Sequence, residues 1–63
     1  MILNEILEVV KTFTSNCRII NGSSIEIFDV AFSLIKEIYN ELMKRGFNPV
    51  FIQTQTEQTY MIL

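Results

Sequence analysis

Residues 17–28 read CRIINGSSIEIF, and this stretch can fold in two ways that give two different proteins. Asn21 and Gly22 stand between two isoleucine-rich runs, and an Asn-Gly pair in this setting is a strong short-range signal for a β-hairpin. The pattern predicts strands at 18–20 and 25–28. With this hairpin, the chain is an α+β protein.

The spacing of Ser23 and Glu26 supports the alternative, because a Ser with a Glu three residues later can form a capping box at the start of a helix over about 24–45. The protein would then be mainly helical, a helical-hairpin dimer with a C-terminal β-hairpin. We favour the hairpin over 17–28, because isoleucine and phenylalanine are weak helix formers. Asp29 also offers a separate N-cap directly before Val30.

Two helices flank this stretch. Apolar residues three and four positions apart predict a helix over about 2–14, and the same spacing with a broader apolar face predicts a second helix over 30–45. The end of the second helix is well marked: Lys44 and Arg45 complement the negative end of the helix dipole, and Gly46 suits the left-handed position that follows.

The C-terminal third predicts a second hairpin. Residues 50–52 are β-branched and aromatic, residues 53–59 are polar, and residues 60–63 are again apolar. The polar segment either extends the two strands or forms a loop between them. The predicted fold is therefore α-β-β-α-β-β, with two helices packed on one face of a small antiparallel sheet.

The chain reads as a single domain, residues 1–63, and one hypothesis divides it into helix-plus-hairpin halves at 2–28 and 34–63. A shift of 32 positions lays residues 16–20 over 48–52. The identities are few, namely Glu5 with Glu37, Ile6 with Ile38, Asn16 with Asn48 and Ile20 with Ile52. An isoleucine-rich chain aligns with itself by chance, so duplication remains one hypothesis, and the shared element order stands without it.

Composition predicts a protein that associates with itself. The chain has 63 residues, 49% of them hydrophobic, with one cysteine and no histidine. An intrachain disulfide is excluded and a zinc site is implausible. So small a core supplies only a few kcal/mol of net stability without reinforcement. Oligomerisation is the reinforcement that remains, and we expect a homodimer or higher homo-oligomer.

Charge and hydropathy favour a cytoplasmic protein that does not bind nucleic acid or membranes. Seven acids and five bases give a net charge of −2 and leave no basic stripe for a phosphate backbone. The longest apolar run, residues 60–63, is far shorter than the roughly 20 residues of a membrane span. The first residues lack the pattern of a signal peptide, and an unpaired cysteine suits a reducing compartment.

The residue types of catalytic and metal sites are scarce, so we predict no enzyme, no cofactor and no metal. Cys17 has only Arg18 beside it to activate the thiol, and a structural role is far better supported. The loop at residues 21–24 has one glycine and no lysine, which fits a turn better than a phosphate loop. Two carboxylate pairs at helical spacing fit solvent-exposed helix faces: Glu5 with Glu8, and Glu37 with Glu41.

The function that best fits these features is a small protein–protein interaction module, an adaptor or inhibitor that binds itself and another protein. The candidate interface residues lie in and before the C-terminal hairpin: Phe47, Val50, Phe51, Ile52, Tyr60 and Ile62. The alternative is a homodimeric DNA-binding transcription regulator. That function requires the five cations to gather on one face of the dimer: Lys11, Arg18, Lys36, Lys44 and Arg45.

Overall fold

The computed structural model of the protein describes residues 2–62. Its elements, in chain order, are α1 (Ile2–Lys11), β1 (Cys17–Ile20), β2 (Ser24–Ile27), α2 (Phe32–Lys44), β3 (Phe51–Gln53) and β4 (Tyr60–Ile62). The predicted α+β fold and its element order are confirmed. The alternative prediction of one long helix over 24–45 is wrong, since a strand occupies the start of that range. Leu63, predicted to end the last strand, lies outside the described residues.

The four strands form one antiparallel sheet in the order β1-β2-β4-β3. The two hairpins therefore meet at their second strands, and β1 and β3 are the edges. At the centre Glu26 lies opposite Met61, with Ile25 opposite Ile62 and Ile27 opposite Tyr60.

This pairing relates the two halves of the chain by an approximate two-fold axis. Glu26 and Met61 occupy equivalent positions, because Arg18 pairs with Glu26 and Ile52 pairs with Met61. Arg18 thus corresponds to Ile52, a shift of 34 positions. The shift of 32 places Arg18 over Val50, so that overlay of the first strands is wrong by two residues. Duplication of an ancestral half remains a hypothesis.

The first hairpin turns at the Asn-Gly pair, as predicted. Asn21 and Gly22 both have positive φ, 55° and 68°, and the amide of Ser23 donates to the carbonyl of Ile20 at 3.2 Å. Both central residues of a type I′ turn need this left-handed geometry, which Asn and Gly adopt most readily. The second strand runs over Ser24–Ile27, so Phe28 lies just beyond it.

The core lies between the helices and one face of the sheet. Alternate residues of a strand face opposite sides, so the inward face of β2 carries Ile25 and Ile27, and that of β4 carries Tyr60 and Ile62. These side chains are buried in one cluster with helix residues from both halves: Ile6, Val9 and Val10 of α1, and Ile35, Ile38 and Leu42 of α2. Both helices therefore pack on the same face of the sheet, as predicted.

The first helix ends earlier than predicted, at Lys11, because threonine side chains satisfy the backbone beyond it. The hydroxyl of Thr12 donates to the carbonyl of Val9 at 2.6 Å, and the hydroxyl oxygen of Thr14 accepts the amide of Asn16 at 3.0 Å. Such local bonds compete with helical ones. Residues 12–16 form the turn into β1.

The start of α2 also differs. Ala31, and not Asp29, is the N-cap, and no side chain caps it. Asp29 has a left-handed φ of 58°, because the chain bends there after leaving β2. The amide of Val30 donates to the carbonyl of Gln58 at 3.2 Å, which ties this bend to the loop before β4.

The end of α2 matches its prediction closely. The amide of Gly46 donates to the carbonyl of Met43 and the amide of Phe47 to that of Leu42, both at 3.0 Å. With a φ of 91° at Gly46, this is a Schellman motif, and Phe47 packs back against the core as that motif favours.

The polar segment, residues 53–59, extends strand β3 by one residue and otherwise forms a hydrogen-bonded loop. β3 continues to Gln53, and the amide of Thr54 then donates to the carbonyl of Thr59 at 3.0 Å. The Thr54 hydroxyl lies 3.1 Å from the same carbonyl, so this side chain closes the base of the loop.

Candidate protein-interaction surface

A groove opens between α2 and the edge strand β3. Its volume is about 390 Å³, and it is lined by Phe32, Ile35, Lys36, Tyr39, Asn40 and Phe51. The groove exists because α1 packs on β1, β2 and α2, while α2 is the last helix above β4 and β3. The helical layer ends before the sheet does, and the inward side of β3 is covered only in part.

One flank of α2 forms the helical wall of this groove. Phe32, Lys36, Tyr39 and Met43 are spaced four, three and four residues apart, so they form one row along the helix. This row lies beside the core-facing row of Ile35, Ile38 and Leu42. The apolar arc of α2 is thus wider than the core needs, and its outer part faces the β3 side.

Aromatic contacts hold the walls of the groove in place. The rings of Tyr39 and Phe51 meet edge to face, with centroids 5.8 Å apart and an interplanar angle of 73°. Phe32 lies against Tyr60 at 6.2 Å. Both distances fall in the range of favourable aromatic pairs. The groove is therefore bounded on two sides by residues that are already positioned.

Exposed apolar side chains concentrate at the β3 end of the molecule. Within residues 2–62, six large hydrophobic side chains are exposed, and five of them are on α2, on β3 or next to it: Phe32 at 60%, Val50 at 56%, Ile52 at 45%, Met43 at 43% and Tyr39 at 40%. The sixth, Ile2, is on α1. The three on α2 flank the groove, whereas Ile52 lies beside Met61 on the sheet face away from the helices. We call Phe32, Tyr39 and Met43 the groove patch; together they expose roughly 350 Å², within the range of the largest patches on monomeric proteins.

The six candidate interface residues divide into two groups. Phe51 lines the groove, and Phe47 packs at the edge of the core. Val50 and Ile52 are exposed, and Ile52 lies on the sheet face away from the helices, opposite Met61. Tyr60 and Ile62 are buried beneath the helices, on the inward face of β4.

The interface predicted from the sequence does not include Phe32, Tyr39 or Met43. The signal was present in the spacing. Residues 32, 39 and 43 form a second row next to the core row, and a helix on a four-stranded sheet does not need both rows for its core.

The cations are spread over both layers of a single chain. Arg18 lies on the sheet face away from the helices, where Nε contacts Glu26 Oε1 at 2.7 Å and the guanidinium lies 5.3 Å from the Phe28 ring centre. Lys36 lies on the opposite layer, at the groove. At the end of α2, Arg45 Nε contacts Glu41 Oε2 at 2.8 Å. Arg18 therefore does not share a face of the chain with Lys36 and Arg45.

Cys17 is half-buried under α1. Its thiol lies 3.6 Å from the carbonyl of Thr14, and burial raises the pKa of the thiol even though Lys11 acts in the opposite direction. Raising the pKa reduces the thiolate fraction, which is the reactive form. In the described part of the chain, no three His, Cys, Asp or Glu residues are grouped so as to hold a metal ion.

Comparisons with protein-family models, with curated proteins and with solved structures gave no match to this chain. Neither helix of residues 2–62 has the length and apolar character needed to cross a membrane.

Proposed function

We propose that this protein is a small non-enzymatic protein–protein interaction module, an adaptor or inhibitor, that acts as a homo-oligomer in the cytoplasm. The observation that carries the proposal is the groove patch. Single exposed apolar residues are ordinary on protein surfaces, whereas a row of large apolar side chains beside an open groove is typical of a surface that another molecule covers.

The composition of the surface supports a protein as that molecule. Interfaces are enriched in aromatic residues and methionine and depleted in charge at their centres. The groove patch contains Phe32, Tyr39 and Met43, and Lys36 is the charged side chain among those that line the groove. Aromatic anchors next to a partly filled groove are the usual form of an interface hot spot.

The size of the chain supports self-association. The fully buried side chains of residues 2–62 number six, Ile25, Ile27, Ile38, Leu42, Ile62 and Val10, which is a small core. Covering the groove patch adds apolar burial without ordering more backbone, so association stabilises the fold as well as forming the complex.

The experiment is a measurement of molar mass by light scattering at micromolar concentration. We expect a multiple of the 7.3 kDa chain mass. Phe32→Glu should reduce the mass toward that of the monomer. A carboxylate at the first position of α2 suits the helix dipole, so this change should not unfold the helix.

The matched control is Ile2→Glu, which places the same charge on the first turn of the other helix, outside the groove patch. It should keep the parent mass. A wild-type chain that remains a monomer at every accessible concentration contradicts self-association. Tight binding of wild-type protein to duplex DNA at physiological salt contradicts the interaction module and favours the regulator.

A further inference from the structure

The outer side of β3 offers free backbone groups. The amide of Thr54 donates to the carbonyl of Thr59, so the alternation of an antiparallel ladder puts Ile52 in the next hydrogen-bonded pair with β4. The N–H and C=O groups of Phe51 and Gln53 therefore point away from the sheet. Among residues 2–62, no turn or loop hydrogen bond uses these groups.

The edge at β3 also lacks the protection that natural edge strands carry. Charges, bulges or covering loops usually block an exposed edge. Residues 50–54 read VFIQT and contain no charge. The opposite edge differs, because β1 carries Arg18 and the amide of Cys17 is taken by the carbonyl of Ser15 at 2.9 Å. An unprotected edge beside an apolar groove is suited to receive another strand.

We propose that the β3 strand of a second copy of this chain occupies this edge, antiparallel, about a two-fold axis at Ile52. The inference rests on the proposed self-association and specifies its geometry. In this register Phe51 of each copy lies opposite Gln53 of the other, so the outward N–H and C=O groups of both residues are all paired. Ile52 then meets its own counterpart, as an isologous interface requires.

The helical layer supports the same arrangement. In each chain two helices cover four strands, one helix for every two strands. Strands lie about 4.8 Å apart, so joining two sheets edge to edge places the two α2 helices roughly 10 Å apart. Helices that pack through their side chains lie about 8–10 Å apart. The row of Phe32, Tyr39 and Met43 on each copy therefore fills the groove beside the other copy.

The surface area agrees with a second copy. A stable interface buries roughly 800 Å² on each partner, and one chain exposes 4174 Å² in total. The groove patch on one face of the joined sheet, with Val50 and Ile52 at the edge strand, exposes roughly 500 Å², more than half of the required area, and the strand edge and groove floor contribute to the rest.

Two isoleucine substitutions form a matched test. Ile52→Lys puts a charge at the centre of the strand pair, and Ile2→Lys makes the same change at an exposed isoleucine on α1. Equilibrium sedimentation should show that Ile52→Lys weakens the dimer by about 30-fold or more, the effect of losing one interface hot spot. Ile2→Lys should leave the dimer unchanged. Circular dichroism shows whether each variant is folded.

A cross-link tests the register directly and does not depend on the stability of a lysine variant. In a Cys17→Ala background, Ile52→Cys should give a covalent dimer under mild oxidation, because residues in a non-hydrogen-bonded antiparallel pair have Cα atoms about 4.5 Å apart, within disulfide range. Ile2→Cys in the same background is the control and should remain uncross-linked. Amide hydrogen exchange at Phe51 and Gln53 should be slow in the dimer.

The outcomes separate the two proposals. A monomeric wild-type chain overturns the proposed function and this geometry together. A wild-type dimer with fast exchange at Phe51 and Gln53, no Ile52→Cys cross-link and no effect of Ile52→Lys overturns the strand pairing alone, and the dimer then uses another surface. Covalent dimer from Ile52→Cys with slow exchange at both amides supports it.

Discussion

The two halves of the molecule contain the same elements in the same order, but only the first half protects its outer strand. In the first half, α1 covers β1, the outer strand carries a charge, and a turn uses one of its outward amides. In the second half, the outer strand β3 has no charge and α2 presents an apolar flank that is only partly covered.

The difference indicates where function lies in a fold of this kind. Both halves supply buried side chains to one core, so stability depends on both. The exposed apolar residues of 2–62 are almost all at one end of the molecule, on α2, on β3 and just before it. An exposed apolar surface that adds nothing to the core of one chain is best explained by association with another molecule.

The largest effect should come from removing residues 60–63. β4 is a central strand, so its loss leaves β3 without its partner and uncovers β2. Ile62 and Tyr60 are buried, and each such side chain contributes roughly 1.5–3 kcal/mol. That sum rivals the whole stability of a small domain. We expect the shortened chain to unfold or aggregate, measured by circular dichroism. A soluble variant that melts close to the parent would contradict a four-stranded core.

A smaller effect tests the two-fold relation of the halves. Ile27 and Ile62 occupy equivalent positions on the two central strands, and both are fully buried. Ile27→Ala and Ile62→Ala should each reduce the free energy of unfolding by about 2–5 kcal/mol, and by similar amounts. Urea denaturation measures both. A large loss in one variant and a negligible loss in the other would show that one hairpin carries the core alone.

Local chemistry explains how much of this fold was predictable. The Asn-Gly turn and the glycine that ends α2 act through their own backbone angles, so the sequence predicted both. The prediction of Asp29 as the N-cap of α2 was wrong, because the amide of Val30 donates to the carbonyl of Gln58, almost thirty residues away. No local pattern reveals such a contact.

The candidate interface was likewise predictable only where it depends on local sequence. Val50, Phe51 and Ile52 were predicted from their own strand; Phe51 lies at the groove, and Val50 and Ile52 are exposed at the same edge of the sheet. The other wall was not predicted, since Phe32 and Tyr39 read as parts of an amphipathic helix. Only the width of the sheet relative to the helical layer shows that this flank lies outside the core.

The two turn glycines, one in each half, should give equal and moderate effects. Gly22 and Gly46 have φ of 68° and 91°, and an added Cβ at either position would have no neighbour within 4 Å. The cost of alanine is therefore conformational alone, about 1–2 kcal/mol at each site. Thermal melts of Gly22→Ala and Gly46→Ala measure it. If Gly46→Ala matches the parent while Gly22→Ala is destabilised, the Schellman turn does not contribute to the second half.

The smallest effect concerns the ion pair at the end of α2. The hydrogen bond from Arg45 lowers the pKa of the Glu41 carboxyl below its ordinary value of 4.5. A lowered pKa means that the charged form is favoured by folding, so the pair stabilises the protein above the ordinary pKa and the benefit is lost as pH falls through the lowered value. Glu41→Gln should therefore reduce the melting temperature slightly at neutral pH and leave it unchanged in strong acid. High salt should also shrink the difference, because the pair is solvent-exposed. Glu37→Gln, one turn earlier on α2, is the matched control, since Glu37 makes no ion pair within residues 2–62. A Glu41→Gln effect that is equal at all pH values would show that the side chain acts through packing and not through its charge.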